Sequence, residues 1–170
     1  MIRIANYIND SIVDGPGIRF TIFFQGCSHN CKGCFNKETW DFNSGKLIEE
    51  EELIKIIKEN FLLSGVTFSG GDAFYQISGA LKMAKLVKEN NYHLMCYTGF
   101  LFEELLEMSK HNFELKELLS LIDTIVDGPF IEELKSLDLN FKGSKNQRII
   151  NVKDSLKNNK IILENFNSKI

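Results

Sequence analysis

The sequence predicts an α/β domain, a single partial, open (β/α) barrel of about five to six parallel strands. Three observations carry that expectation. Short runs rich in β-branched and aromatic residues alternate with runs of helical period; the alternation repeats about five times; and 170 residues are too few for a closed eight-stranded barrel, which usually takes about 250. Strand–helix repetition of this kind implies parallel pairing through right-handed crossovers, with a doubly wound sheet as the alternative.

The elements follow in order. Residues 18–25 (IRFTIFFQ) have the composition of a buried strand. Residues 47–61 place Leu53, Ile54, Ile57 and Phe61 on one helical face, and the acidic run Glu49 to Glu52 stands at the helix start, where negative charge meets the positive end of the dipole. Residues 66–69 read as a short strand. Ile77, Ala80, Leu81, Ala84 and Val87 then recur at helical spacing until Asn90-Asn91, after which 92–98 resume as a strand with Cys96 as a small apolar packing residue. Residues 101–121 are helical with an interruption near His111-Asn112, 122–126 form a strand, 131–137 a short helix and 147–152 a last strand. One domain is expected over 1–152, with the polar, Asn/Lys-rich residues 153–170 as a tail.

Twenty basic against 23 acidic residues give a net charge of -3, which lacks the basic footprint of a nucleic-acid binder. A large partner is therefore expected to be a protein. No apolar run approaches bilayer length, and four cysteines come without an apolar N-terminal signal segment. Both facts point to a cytoplasmic chain with no membrane partner and no disulfide framework.

The chemistry concentrates in Cys27-Ser28-His29-Asn30-Cys31-Lys32-Gly33-Cys34. Thiolates are the usual ligands of iron–sulfur clusters, and three of them leave one iron of a four-iron cluster open to a ligand that is not protein. A Cys3His zinc site from Cys27, His29, Cys31 and Cys34 is the alternative; structural zinc usually draws its ligands from two separated knuckles, and no second pair follows here. His29 is read as loop filling rather than as a ligand. In parallel α/β folds the ligand site lies at the carboxyl ends of the strands. Those ends carry the cysteine loop, Ser69-Gly70-Gly71-Asp72, Tyr97-Thr98-Gly99 and Asp127-Gly128-Pro129-Phe130. The paired glycines let backbone approach a ligand closely, while a plain turn with Asp72 as N-cap is the competing reading. Asp14-Gly15-Pro16-Gly17 is turn chemistry before the first strand, and for Trp40 and Phe42 core packing is the default, with a partner-facing place as the alternative.

This cysteine spacing followed by a Gly-Gly-acidic turn resembles the radical S-adenosylmethionine enzymes. More closely, DGPGIRF at 14–20, QGCSHNCKGCFNKETW at 25–40, SGGD at 69–72, DGPF at 127–130 and GSKNQ at 143–147 resemble the glycyl-radical enzyme activases that serve anaerobic ribonucleoside-triphosphate reductase. Asp72 stands where many relatives have Glu, and Ala73 where Pro is common. The resemblance implies a radical S-adenosylmethionine domain over 1–152 and a 4Fe–4S cluster held by Cys27, Cys31 and Cys34. S-adenosylmethionine would chelate the fourth iron, with Gly33, Cys34 and Phe35 beside it and Gly70, Gly71 and Asp72 meeting its methionine moiety. Tyr97, Thr98, Asp127 and Arg148 are further candidates placed only by the strand-end rule. The implied reaction is reductive cleavage of S-adenosylmethionine to a 5′-deoxyadenosyl radical, which takes a hydrogen from one glycine of the reductase and leaves a glycyl radical there. No catalytic side chain beyond cluster and cofactor is implied, and a low-potential donor such as flavodoxin would supply the electron. The rivals are an activase of another glycyl-radical enzyme such as pyruvate formate-lyase, and a non-catalytic zinc-binding interaction module.

Overall fold

Four strands run parallel at the centre of one seven-stranded sheet: β2 (Arg19–Phe24), β4 (Gly65–Gly70), β5 (His93–Tyr97) and β6 (Thr124–Asp127). The computed structural model describes residues 1–164 and 166; residues 165 and 167–170 of the expected tail lie outside the described residues. Beyond β2 lie β1 (Ile2–Ser11) and β3 (Lys46–Ile48), and beyond β6 lies β7 (Arg148–Asn151), all three paired antiparallel. The strand order β3-β1-β2-β4-β5-β6-β7 is open at both edges.

The α/β class therefore stands, while the expectation of five to six parallel strands is corrected to four within a mixed sheet. The reason is local. The segment expected as a helix at 131–137 is only a single 3-10 turn, Glu132–Leu134. Without a crossover helix the chain re-enters the sheet from the end it left, so β7 pairs antiparallel with β6. At the other edge, the start of the helix expected at 47–61 is taken by β3, and the helix α1 spans Glu50–Glu59 with Glu49 as its N-cap. The strand β1 escapes sequence reading because Asn6, Asn9 and Asp10 interrupt its apolar alternation.

The sheet has two chemically different faces. Phe20, Ile22, Phe24, Val66, Phe68, Leu94, Cys96 and Ile125 are fully buried on one of them. They share a core with residues of α1, α2 (Ile77–Glu89), α3 (Phe102–Ser109) and α4 (Phe113–Leu121). The strand register puts Thr21, Thr67, Met95 and Thr124 in one row of the opposite face. That face is polar at its base. Arg19, 1% exposed, donates from Nε to Thr67 Oγ1 at 3.0 Å and from Nη2 to the Val66 carbonyl at 2.6 Å, while Nη1 meets His93 Nδ1 at 3.2 Å. Burial lowers the Arg19 pKa to about 10. Burial, and then the Arg19 charge, bring His93 down to about 4. The neutral ring accepts from Arg19 at Nδ1, and its Nε2 faces Thr124 Oγ1 at 3.3 Å, which in turn donates to Glu164 Oε2 at 2.7 Å. After α5 (Val152–Asn158) the chain returns along β7, with Leu163 bridged to Ile150 and the Glu164 amide donating to the Ile149 carbonyl at 2.8 Å.

This arrangement makes stability depend on pH. The folded His93 pKa of about 4 lies below the value of about 6.5 for a free imidazole. Between the two values the unfolded chain binds a proton that the folded chain does not, so stability rises with pH through this window and is lost as pH falls through it. In urea unfolding of the iron-free protein, lowering pH from about 7 to about 5 should destabilise wild type by about 1 kcal/mol more than His93→Gln, after allowance for solvent screening.

Candidate iron–sulfur site

The cysteine loop leaves β2 at its carboxyl end, on the polar side of the sheet. Its first amide, Cys27 N–H, donates to the Trp40 carbonyl at 3.1 Å, and Cys34 N–H donates back to Cys31 at 3.1 Å. Asn30, left-handed at φ 52, reverses the chain between the first two cysteines. Cys27 is buried; Cys31 and Cys34 are half-buried. All three line one cavity of about 610 Å³, together with Phe35, Gly70, Gly71, Tyr97 and Thr98.

The Gly-Gly turn is stitched to the loop by backbone. Gly71 N–H donates to the Phe24 carbonyl at 2.8 Å and Asp72 N–H to the Gly26 carbonyl at 3.1 Å. Gly70 has φ 89, and a Cβ on Gly71 would lie 2.5 Å from the Gly26 carbonyl oxygen. Only glycine permits this approach. The two glycines thus serve close packing of two strand ends as well as forming cavity wall.

Asp72 stands behind that wall, fully buried. Its Oδ1 accepts from Phe74 N–H at 3.0 Å, which caps the 3-10 turn Ala73–Tyr75. Its Oδ2 takes Thr98 Oγ1 at 2.7 Å, Gly99 N–H at 3.0 Å and His29 Nε2 at 3.0 Å. The N-cap reading of Asp72 holds, and its carboxylate is spent on protein donors. Gly33 turns toward Glu132, whose Oε1 would lie 2.8 Å from an added Cβ, and is not part of the cavity wall. Asp127 and Arg148 form an ion pair away from the cavity. Asp127 also accepts from Phe102 N–H at 2.8 Å, and Arg148 reaches Glu103 Oε1 at 3.0 Å, so the pair ties α3 to β6 and β7. Cys96 is buried on the helix side, as its packing role requires.

The donor set fits an iron–sulfur cluster better than zinc. Among the described residues, the group with three candidate ligand atoms all within 4.8 Å of one another is Glu49, Glu50 and Glu51 at the start of α1, so at least two of the three cysteine sulfurs stand farther apart than that. Tetrahedral zinc, with bonds of about 2.3 Å, would hold sulfurs about 3.8 Å apart. His29, the fourth candidate ligand, has its Nε2 on Asp72. Burial pushes the Cys27 thiol up to about 11 and raises that of Cys31. Thiolates there need a bound cation to stabilise them.

Ile8 and Phe141, both part of the wall, have no signal in the sequence, unlike Asp14. Ile8 comes from the unassigned strand β1, and Phe141, left-handed at φ 54, comes from the irregular segment before β7. Asp14 folds in from its turn, where Oδ2 accepts from Ser11 Oγ at 2.5 Å and Thr21 Oγ1 at 3.1 Å. Trp40 also lines the cavity, whereas Phe42 meets Tyr75 edge-on with ring centres 5.5 Å apart.

A family model described as a 4Fe-4S single cluster domain matches residues 13–150. The anaerobic ribonucleoside-triphosphate reductase-activating protein of Escherichia coli strain K12 is 33% identical over 149 residues, which cover 83% of this chain and 93% of that protein. The protein of the same name from Vibrio cholerae is 35% identical over 151 residues, covering 84% and 94%. A crystal structure of QueE from Escherichia coli overlaps 58% of this chain and 52% of its own, with a TM-score of 0.41 at 16% identity, too loose a likeness to bear on function.

The stitched glycine turn is testable without any cofactor. Gly71→Ala should lower the thermal stability of the iron-free protein by an amount equivalent to about 2–3 kcal/mol, the cost of forcing a methyl group against backbone.

Proposed function

As this chain belongs to the 4Fe-4S single cluster domain family and to the anaerobic ribonucleoside-triphosphate reductase-activating proteins, we propose that it generates the glycyl radical of such a reductase, using a 4Fe–4S cluster and S-adenosylmethionine. The observation that carries this reading is the gathering of Cys27, Cys31 and Cys34 around one cavity beside the Gly70-Gly71 turn, with Cys96 buried on the other side of the sheet. Three sulfurs leave one iron for a ligand that is not protein.

The chemistry that cluster and cofactor supply when bound is one-electron cleavage of a carbon–sulfur bond, yielding a carbon radical able to take hydrogen from glycine. The chain supplies binding, orientation and dryness. Cys27, Cys31 and Cys34 would hold three irons. Gly70 and Gly71 would let main chain close on the methionine moiety, with Asp72 acting from behind through the turn that it caps. Phe35, tilted against Phe130 with ring centres 5.0 Å apart, flanks Cys34 together with Gly33 and would give the cofactor an apolar side. No side chain is assigned a proton-transfer step, because the nearby His29 and Asp72 are hydrogen-bonded to each other.

A glycine substrate suits such a cavity. It has no side chain to exclude, so backbone of the partner can enter. The electron would come from a low-potential donor such as flavodoxin. A net charge of -3 argues against a nucleic-acid partner, and among the described residues no helix is long and apolar enough to cross a membrane; a cytoplasmic setting accords with both.

Oxygen-free protein, reductant, S-adenosylmethionine and the reductase should together give a glycyl electron-spin signal on the reductase with matching 5′-deoxyadenosine, while pyruvate formate-lyase offered in its place stays diamagnetic. Cys31→Ala should lose the four-iron content and the signal together. A wild-type protein that carries zinc instead of iron, or four irons without ever producing the signal, would defeat the proposal.

A further inference from the structure

Among the described residues, no backbone-to-backbone hydrogen bond ties 28–33 to another part of the chain; the ties run through side chains, one of them from the Phe130 backbone to the Cys31 thiol. Ser28 Oγ and Tyr75 OH share a bond of 2.6 Å, and Lys32 reaches Glu132 at 3.1 Å from an exposed position. The more enclosed tether is His29, whose partner is fully buried. Its Nε2 meets Asp72 Oδ2 at 3.0 Å, with the His29 side chain 16% exposed and that of Asp72 not at all. Its ring stands edge-on to Phe100 with centres 4.6 Å apart and near Tyr75 at 5.6 Å, and it lies over Gly99 so closely that any Cβ there would overlap the imidazole. One side chain thereby joins the loops that follow β2, β4 and β5.

We propose that His29 is a positioning residue, acting through Asp72 to pin the arm between Cys27 and Cys31 against the ends of β4 and β5. Asp72 Oδ2 already accepts from Thr98 and Gly99, so the group that completes it must be a donor. A flat donor of imidazole length fits between Phe100 and Gly99. The pin fixes where the arm that carries the first two sulfurs lies relative to the ends of β4 and β5. The consequence for a cluster rests on the cluster part of the proposed function, and on neither S-adenosylmethionine nor the reductase.

Two substitutions separate the donor from the ring. His29→Phe keeps a ring over Gly99 and loses the donor; His29→Gln keeps an N–H donor at comparable reach and loses the ring. Iron release from the reconstituted, oxygen-free protein to a chelator should be about 10- to 100-fold faster than wild type in H29F, and within about threefold of wild type in H29Q. In an Asp72→Asn background, H29F should add little further acceleration, because the two residues act as one unit. Equal release by H29F and H29Q, or H29F as slow as wild type, would overturn the pin. A wild-type protein that never takes up four irons would instead overturn the proposed function, so the two failures are distinguishable.

Discussion

A carboxylate taken out of water must be satisfied by the protein around it, and the way Asp72 is satisfied organises this site. Four donors converge on it, from the cysteine loop, from its own turn and from the turn after β5. Each donor left without it would forfeit about 1–3 kcal/mol, which is ample to hold three irregular loops to one geometry. The cavity wall therefore owes its shape to a group that does not face the cavity.

The sheet beneath divides its labour by face. The face under the helices is mainly apolar and supplies the burial that makes the domain fold. The other face carries threonines from three parallel strands and, among the described residues, buries a guanidinium without a carboxylate in direct contact. Arg19 remains there because carbonyl, hydroxyl and imidazole acceptors replace its water, and because His93 stays neutral beside it. Thr67, which accepts from Arg19, donates in turn to the Asp14 carbonyl at 2.8 Å, so this polar base also supports the turn that enters the cavity.

Open edges matter to the chemistry as well. A closed barrel fills its interior with side chains. Here the sheet ends in antiparallel strands at both sides, and the space over the strand ends is lined by loops and by the strand ends themselves. Under the proposed function, this space would take the partner's backbone.

Much of this was legible in the amino-acid order. The four parallel strands, the helices between them, the cysteine triad and the Gly-Gly turn all announce themselves through local composition, since burial on both sides, helical period and close backbone approach each demand particular residue types over a few positions. Other features stayed hidden for an equally physical reason. The strand β1 carries polar residues because only part of it is covered, and the antiparallel return of β7 depends on a connection too irregular to have a period. His29 reads as loop filling along the chain, because its partner lies 43 residues away. The sequence by itself determined which atoms are available to bind iron and roughly where the strands end. Tertiary structure alone decided which loops touch, and so which polar side chain faces a ligand and which one holds the wall, because those contacts join residues far apart in the chain and leave no local pattern.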